Sequence, residues 1–148
     1  MANLDDGVRT LQRRTCAAGA ALLVLAFGTG LLLGLVMTNK LHADVHEIVA
    51  AHLNAVLGSL WLFALAYTLP MLRFGQIGVK RLVYATVVPA YMNWLVTTIK
   101  AFLHVTGVDV TGDATNDLVF ATLGVFVVVP SFGAAIAWTY GLWGSRRA

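Results

Sequence analysis

A single histidine, His52, lies just inside one end of a long, almost wholly apolar run. A neutral imidazole in hydrocarbon needs a partner, and the usual partners are a metal ion, a haem iron or a proton path. His46 and Glu47 precede it, but the two histidines are six residues apart. On a helix that spacing turns them by about 600°, so they do not form the H-E-x-x-H zinc motif. The sequence therefore excludes a zinc-protease motif here and leaves a metal, a haem iron or a proton path open for His52.

A second polar feature occurs in the third apolar run, where Pro89, Asn93, Thr97, Lys100 and His104 follow one another at helical spacing. At about 100° per residue they fall within a sector of about 80°. With no water in the bilayer core, such a stripe is expected to face the protein interior. We expect Lys100 to extend toward the outer headgroups, because long basic side chains do so near helix ends.

The direction of the helices relates the two features. If the second span runs inward and the third outward, His52 lies at about the depth of Thr97, which predicts a shared pocket near the outer leaflet. Ser59 and Phe63 share the face of His52, which is small and apolar and therefore suited to a flat hydrophobic cofactor. Asn54 lies about 200° away on the same helix and is predicted to point elsewhere.

Composition sets the class of protein that must position these residues. Of the 148 residues, 59% are hydrophobic and 11% are charged, and the mean hydropathy is +0.79. These values are typical of an integral membrane protein. We predict an all-α, four-helix membrane bundle that forms one domain, residues 1–148. Its four apolar runs, each near or above the ~20 residues that cross a bilayer, are Thr15 to Met37, Ile48 to Leu72, Leu82 to Leu103 and Leu118 to Trp143.

Basic residues predict the topology. Most of them flank the same ends of the spans, which places both termini in the cytoplasm by the positive-inside rule and the chain in the cytoplasmic membrane as a multi-pass protein. The net charge of +3 is thus a topology signal, and no nucleic-acid partner is predicted. The residues on that side are Arg9, Arg13, Arg14, Arg73, Lys80, Arg81, Arg146 and Arg147.

The residues alone leave several functions open. If His104 is a second iron ligand, the protein is a cytochrome b-like electron carrier with two histidine ligands. It is otherwise an ordinary interfacial histidine, and the protein is a haem enzyme with an open iron site or a non-catalytic haem-binding protein. A cofactor-free transporter subunit that uses the polar stripe is a further alternative. A nucleophile-based hydrolase is not indicated, because Ser59 and Ser131 lack an evident base and acid.

Four short motifs in their order along the chain resemble styrene-oxide isomerases, small four-helix membrane enzymes that bind haem b. They are Ala51-His52 at the start of the second span, Leu69-Pro70 at its end, Arg81-Leu82 before the third span, and Tyr91-Met92-Asn93 within it. The resemblance covers about two thirds of the chain, from Ala50 to the C-terminus.

The resemblance implies that His52 is the axial ligand of a ferric haem b at the interface of a homotrimer. It implies a reaction in which the iron, as a Lewis acid, opens an apolar aryl epoxide to an aldehyde without net redox change. Asn93 matches a family asparagine and is a candidate pocket residue. Thr97 is a further candidate catalytic residue, because it keeps a hydroxyl where the family has a tyrosine. Gly58 stands where the family has an asparagine, so the substrate-positioning roles of the family tyrosine and asparagine do not carry over directly.

Overall fold

Four long helices account for nearly all of the chain. The structure is a computed structural model that describes residues 2–143, with side chains from residue 6 onward. Each helix is long and apolar enough to cross a membrane, and no strand occurs in the described residues, so the prediction of an all-α membrane protein with four spans is confirmed. The helices are α1 (Ala2–Met37), α2 (Val45–Thr68), α3 (Gln76–Leu103) and α4 (Ala114–Leu142), and a single 3-10 turn, Leu69–Met71, extends α2.

All four helices begin before the apolar runs that predicted them. In α2 and α4 the additional residues form a polar first turn. Asp44 caps α2 by accepting a hydrogen bond from the Glu47 amide at 3.1 Å. Asp113 caps α4 in the same way, accepting from the Asn116 amide at 2.8 Å. An acidic residue that satisfies a free first-turn amide is a common helix start. These turns are too polar to be found from hydropathy, whereas the capping residues Asp44 and Asp113 mark them in the sequence.

Five of the basic residues that predicted the topology lie on helices, whereas Arg73 lies in the loop between α2 and α3. Arg14 belongs to α1, and Lys80 and Arg81 belong to the first turns of α3. An even number of crossings places both ends of the described chain on one side of the membrane. Arg146 and Arg147 lie outside the described residues, and the cytoplasmic orientation stays a prediction.

The helices are joined by packing and by hydrogen bonds from aromatic side chains. Helix α1 packs mainly against α2, and α3 lies between α2 and α4. The Tyr91 hydroxyl of α3 donates to the Ala18 carbonyl of α1 at 2.8 Å, and the Trp94 indole donates to the Thr29 hydroxyl at 2.9 Å. Such bonds stabilise helix association where water does not compete.

A proline interrupts the regular hydrogen-bond ladder of α4. Pro130 has no backbone N–H, and the preceding segment, Gly124–Val128, is a π-helical turn in which the Val129 amide donates to the Gly124 carbonyl five residues back. Pro89 lies inside α3 and is buried. Prolines in membrane helices interrupt the regular ladder and open space between helices. Pro89 lines the cavity described below.

Candidate functional site

His52 lies about two turns into α2 and is half-buried against α1. Its Nδ1 is 2.8 Å from the Ala26 carbonyl oxygen. A carbonyl only accepts, so Nδ1 carries the proton and Nε2 keeps its lone pair. This arrangement is the one that metal-binding histidines use, because the bond at one ring nitrogen fixes the tautomer and orients the other nitrogen. Within residues 6–143 no group of three or more His, Cys, Asp and Glu side chains is placed to hold a metal ion.

Gly30 of α1 allows this close approach. A Cβ at Gly30 would lie 3.3 Å from Cε1 and 3.4 Å from Nδ1 of His52, which is tight for any larger residue. Gly28 and Gly34 on the same helix have open space where their side chains would be. Gly30 and the Ala26 carbonyl together hold the ring in one orientation.

The apolar face beside His52 is not free, contrary to the sequence-based prediction. Helix α1 covers it: a Cβ at Gly19 would lie 3.2 Å from both the Ser59 carbonyl and the Phe63 ring. Ser59 is fully buried and donates to its own helix, to the Val56 carbonyl at 2.7 Å. Hydrophobic periodicity identified a buried face correctly, but a neighbouring helix occupies it.

Asn93 and Thr97 are brought together by Asn54, a residue that was not predicted to belong to the site. The Asn54 side-chain amide donates to Asn93 Oδ1 and to Thr97 Oγ1, each at 3.2 Å. Asn54 points away from His52, as its position on the helix predicted, and its side chain faces α3. A polar residue facing away from His52 on the same membrane helix was the available signal, because it too needs a partner in hydrocarbon.

Two of these three polar residues border a cavity of about 300 Å³ between α2, α3 and α4. Asn54 and Asn93 line it, together with Ser131 of α4, and His52 does not. His52 and Asn54 use opposite faces of α2, toward α1 and α3 respectively. The pocket predicted to be shared by His52 and the stripe is therefore not formed within one chain.

Gly58 shares the cavity face of α2 with Asn54, one turn further along. A Cβ at Gly58 would lie 3.0 Å from Leu22 Cδ2 and 3.4 Å from the Ala90 Cβ. A larger side chain would require Leu22 to move. The departure at Gly58 therefore reflects close packing of α1, α2 and α3 at this level, and the nearest amide on that face is Asn54.

Lys100 is buried, and the prediction that it extends to the headgroups is wrong. Its Nζ is 2.8 Å from Glu47 Oε2 and donates to the Thr106 carbonyl at 2.8 Å. Glu47 is in the first turn of α2. The ion pair therefore joins the start of α2 to the end of α3, and the bond to Thr106 holds the start of the loop that leads to α4.

His104 is exposed and ends α3 in the left-handed conformation, with φ of 53°. The Asp44 amide donates to the Ala101 carbonyl at 2.9 Å, which sets the relative level of α2 and α3. From that level His52 is eight residues deeper and His104 three residues further out, so about 16 Å along the helix axes separates them at 1.5 Å per residue. One chain does not bring both imidazoles to one iron, which argues against the bis-histidine alternative.

The comparison with known proteins agrees with this architecture. The family model described as "Styrene oxide isomerase" matches residues 11–143, which include α2, α3 and α4 completely and all of α1 except its first residues, 2–10. No curated protein and no solved structure matches the chain significantly.

Proposed function

The chain belongs to the styrene oxide isomerase family, and from that premise we propose that it is a membrane-bound, haem b-dependent isomerase that converts an apolar aryl epoxide into an aldehyde. The family supports the isomerase class. The observation that carries the haem assignment is the half-buried His52 imidazole, whose Nδ1 donates to the Ala26 carbonyl and whose Nε2 is thereby left as a ligand.

His52 would bind the iron through Nε2. The Ala26 carbonyl would keep the ring in the ligating tautomer and raise its basicity, and Gly30 would leave room for the ring edge. When bound, ferric haem supplies a Lewis acid that polarises an epoxide C–O bond without net redox change. Because α1 covers the inner side of the ring, the half-exposed edge of His52 is the side from which haem would approach.

Asn93 and Thr97 would orient the substrate. Both side chains are able to donate and to accept hydrogen bonds in an apolar setting, and Asn54 donates a hydrogen bond to each. Hydrocarbon around the spans would exclude water, which otherwise hydrolyses an activated epoxide to a diol. The bilayer would also supply the substrate, because an apolar epoxide partitions into it.

We propose that the active assembly is a homo-oligomer, a trimer by resemblance to the family, in the cytoplasmic membrane. The opposite orientations of His52 and Asn54 on α2 favour this arrangement. Within one chain, α2 keeps His52 and Asn54 apart. When a second copy packs against the first, the His52 face of one copy is able to lie opposite the Asn54 face of the other.

An absorption spectrum of the detergent-purified protein, ferric and then dithionite-reduced, tests the proposal. We expect a high-spin ferric Soret band that shifts when styrene oxide is added, and formation of phenylacetaldehyde. A spectrum without a Soret band, from cells supplied with haem precursors, would contradict the haem assignment. A low-spin band that does not respond to the epoxide would contradict the open iron site.

A further inference from the structure

A cleft of about 540 Å³ lies between the N-terminal parts of α1 and α3, at a distance along the bundle from the site of His52. Leu11 of α1 forms part of its wall and also packs against the buried cluster that contains Val79 and Leu82. A Cβ at Gly7 would lie 3.0 Å from Gln76 Cδ, so the two helices approach closely here. The walls of the cleft are therefore two packed helices rather than loops.

Two basic side chains, Arg14 of α1 and Lys80 of α3, line this cleft, which we call the basic cleft. Arg14 directly precedes the first apolar run and Lys80 lies two residues before the third, so both mark the level at which the hydrocarbon core begins. Within residues 6–143 neither has a hydrogen bond or an ion pair. Arg73, by contrast, is engaged, because its guanidinium lies 3.5 Å from the centre of the Tyr140 ring. The basic cleft thus offers two positive charges to a ligand.

One acidic side chain, Asp6, also lines the basic cleft, but it lies farther from the membrane. It precedes Arg14 by eight residues on α1, which is about 12 Å at 1.5 Å per residue. Two cations against one carboxylate leave a net positive charge, and that charge is concentrated at the membrane end of the cleft. An anion is therefore favoured there over a neutral or zwitterionic group.

The basic cleft also has apolar walls, which a free phosphate would leave uncovered. Side chains on a helix lean toward its N-terminus, so Arg14 and Lys80 extend to the level of Leu11 and Ile77. Leu11 is half-buried, and Ile77 is 70% exposed although it lines the cleft. A ligand with a phosphate and an adjoining apolar part covers both kinds of surface.

We propose that the basic cleft binds one anionic phospholipid of the surrounding leaflet, with its phosphate between Arg14 and Lys80. The guanidinium presents parallel N–H donors that match two phosphate oxygens, and the ammonium adds a compact charge. Thr10 and Gln76 line the same cleft and supply donors to the rest of the headgroup. Basic pockets between membrane helices bind lipid headgroups in this way. Binding here requires neither haem at His52 nor a substrate.

Native mass spectrometry of the delipidated, full-length protein in a non-ionic detergent tests the proposal. Dioleoylphosphatidylglycerol and dioleoylphosphatidylcholine carry the same acyl chains and differ in net charge. We expect one phosphatidylglycerol per chain, bound more tightly than phosphatidylcholine. A basic side chain near a membrane surface contributes about fivefold to the binding of anionic lipid, so Arg14→Gln and Lys80→Gln should each weaken phosphatidylglycerol binding about fivefold and phosphatidylcholine binding less.

Arg81→Gln is the matched control, because it removes the same charge from the next residue of α3, which lines the groove toward α4 and not the basic cleft. It should keep the native affinity. Asp6→Asn should strengthen phosphatidylglycerol binding, a gain that an unfolded variant does not produce.

Four results would each overturn the proposal. Equal losses in Arg81→Gln and Lys80→Gln would show a general effect of surface charge, and equal affinity of the native protein for the two lipids would show no selectivity for an anion. Weaker binding in Asp6→Asn would contradict the charge balance of the cleft. Displacement of the lipid by glycerol 3-phosphate would show a site for a free phosphate compound instead.

Discussion

The ion pair between Glu47 and Lys100 should stabilise the protein substantially, unlike most surface pairs. The two charged atoms are 2.8 Å apart, and the side chains are only 15% and 11% exposed. Net contributions of charge-assisted hydrogen bonds are about 1.5–3 kcal/mol, and removal of one partner from a buried pair costs about 3–5 kcal/mol. Both side chains keep some contact with solvent, so we expect Lys100→Met to lower the free energy of unfolding by about 2–3 kcal/mol.

A double-mutant cycle isolates the pair from other effects of each substitution. Glu47→Gln is the second single variant, and it preserves the helix cap, because Asp44 accepts from the backbone amide of residue 47. The coupling energy between the two sites should be about 2 kcal/mol, close to a 30-fold change in the unfolding equilibrium. Reversible unfolding in mixed detergent micelles, followed by circular dichroism, gives the four free energies. A coupling energy below about 0.5 kcal/mol, the range of exposed pairs, would refute the assignment of a buried, stabilising bridge.

Two further substitutions test individual contacts, one beside His52 and one in the loop before α4. Gly30→Ala should displace the His52 ring, since the added Cβ would lie 3.3 Å from it. The variant should therefore shift the Soret band and lose haem to apomyoglobin faster than the native protein. Gly34→Ala, with open space at its Cβ, should do neither, and equal behaviour of the two variants would contradict the contact between Gly30 and His52. Asn116→Ala should lower the free energy of unfolding by about 1–3 kcal/mol, because its side chain accepts from the Gly107 amide at 2.8 Å and donates to the Asp109 carbonyl at 2.7 Å in the loop before α4. The exposed Thr115→Ala is the control for Asn116→Ala, and thermal unfolding that is the same for both would be inconsistent with that role.

The sequence predicted the four helices because hydropathy alone distinguishes a span from a loop. It did not predict where they begin. The first turn of α2 contains Asp44 and Glu47, and that of α4 contains Asp113 and Asn116, all of them polar. Asp44 and Asp113 start the helices by accepting hydrogen bonds from the backbone amides of Glu47 and Asn116, an effect that a mean hydropathy over about 20 residues conceals.

For the candidate site, periodicity predicted angles on each helix but not which helix faces which. The stripe that contains Asn93 and Thr97 does face the interior, as predicted. The angle between Asn54 and His52 on α2 predicts that the two side chains face different ways, but it does not predict that Asn54 faces α3. Lys100 was predicted to extend outward because its partner Glu47 is distant in sequence and lies on another helix. Contacts of this kind depend on the relative depth of two helices, which no single-helix pattern contains.

The most direct test of the central claim is the haem-to-protein ratio of His52→Gly, purified beside the native protein and beside His104→Ala. We predict that His52→Gly loses its haem, that imidazole added during reconstitution restores a Soret band by filling the vacated space, and that His104→Ala keeps the native ratio and spectrum. Full haem occupancy in His52→Gly without imidazole would contradict the assignment of His52 as the iron ligand.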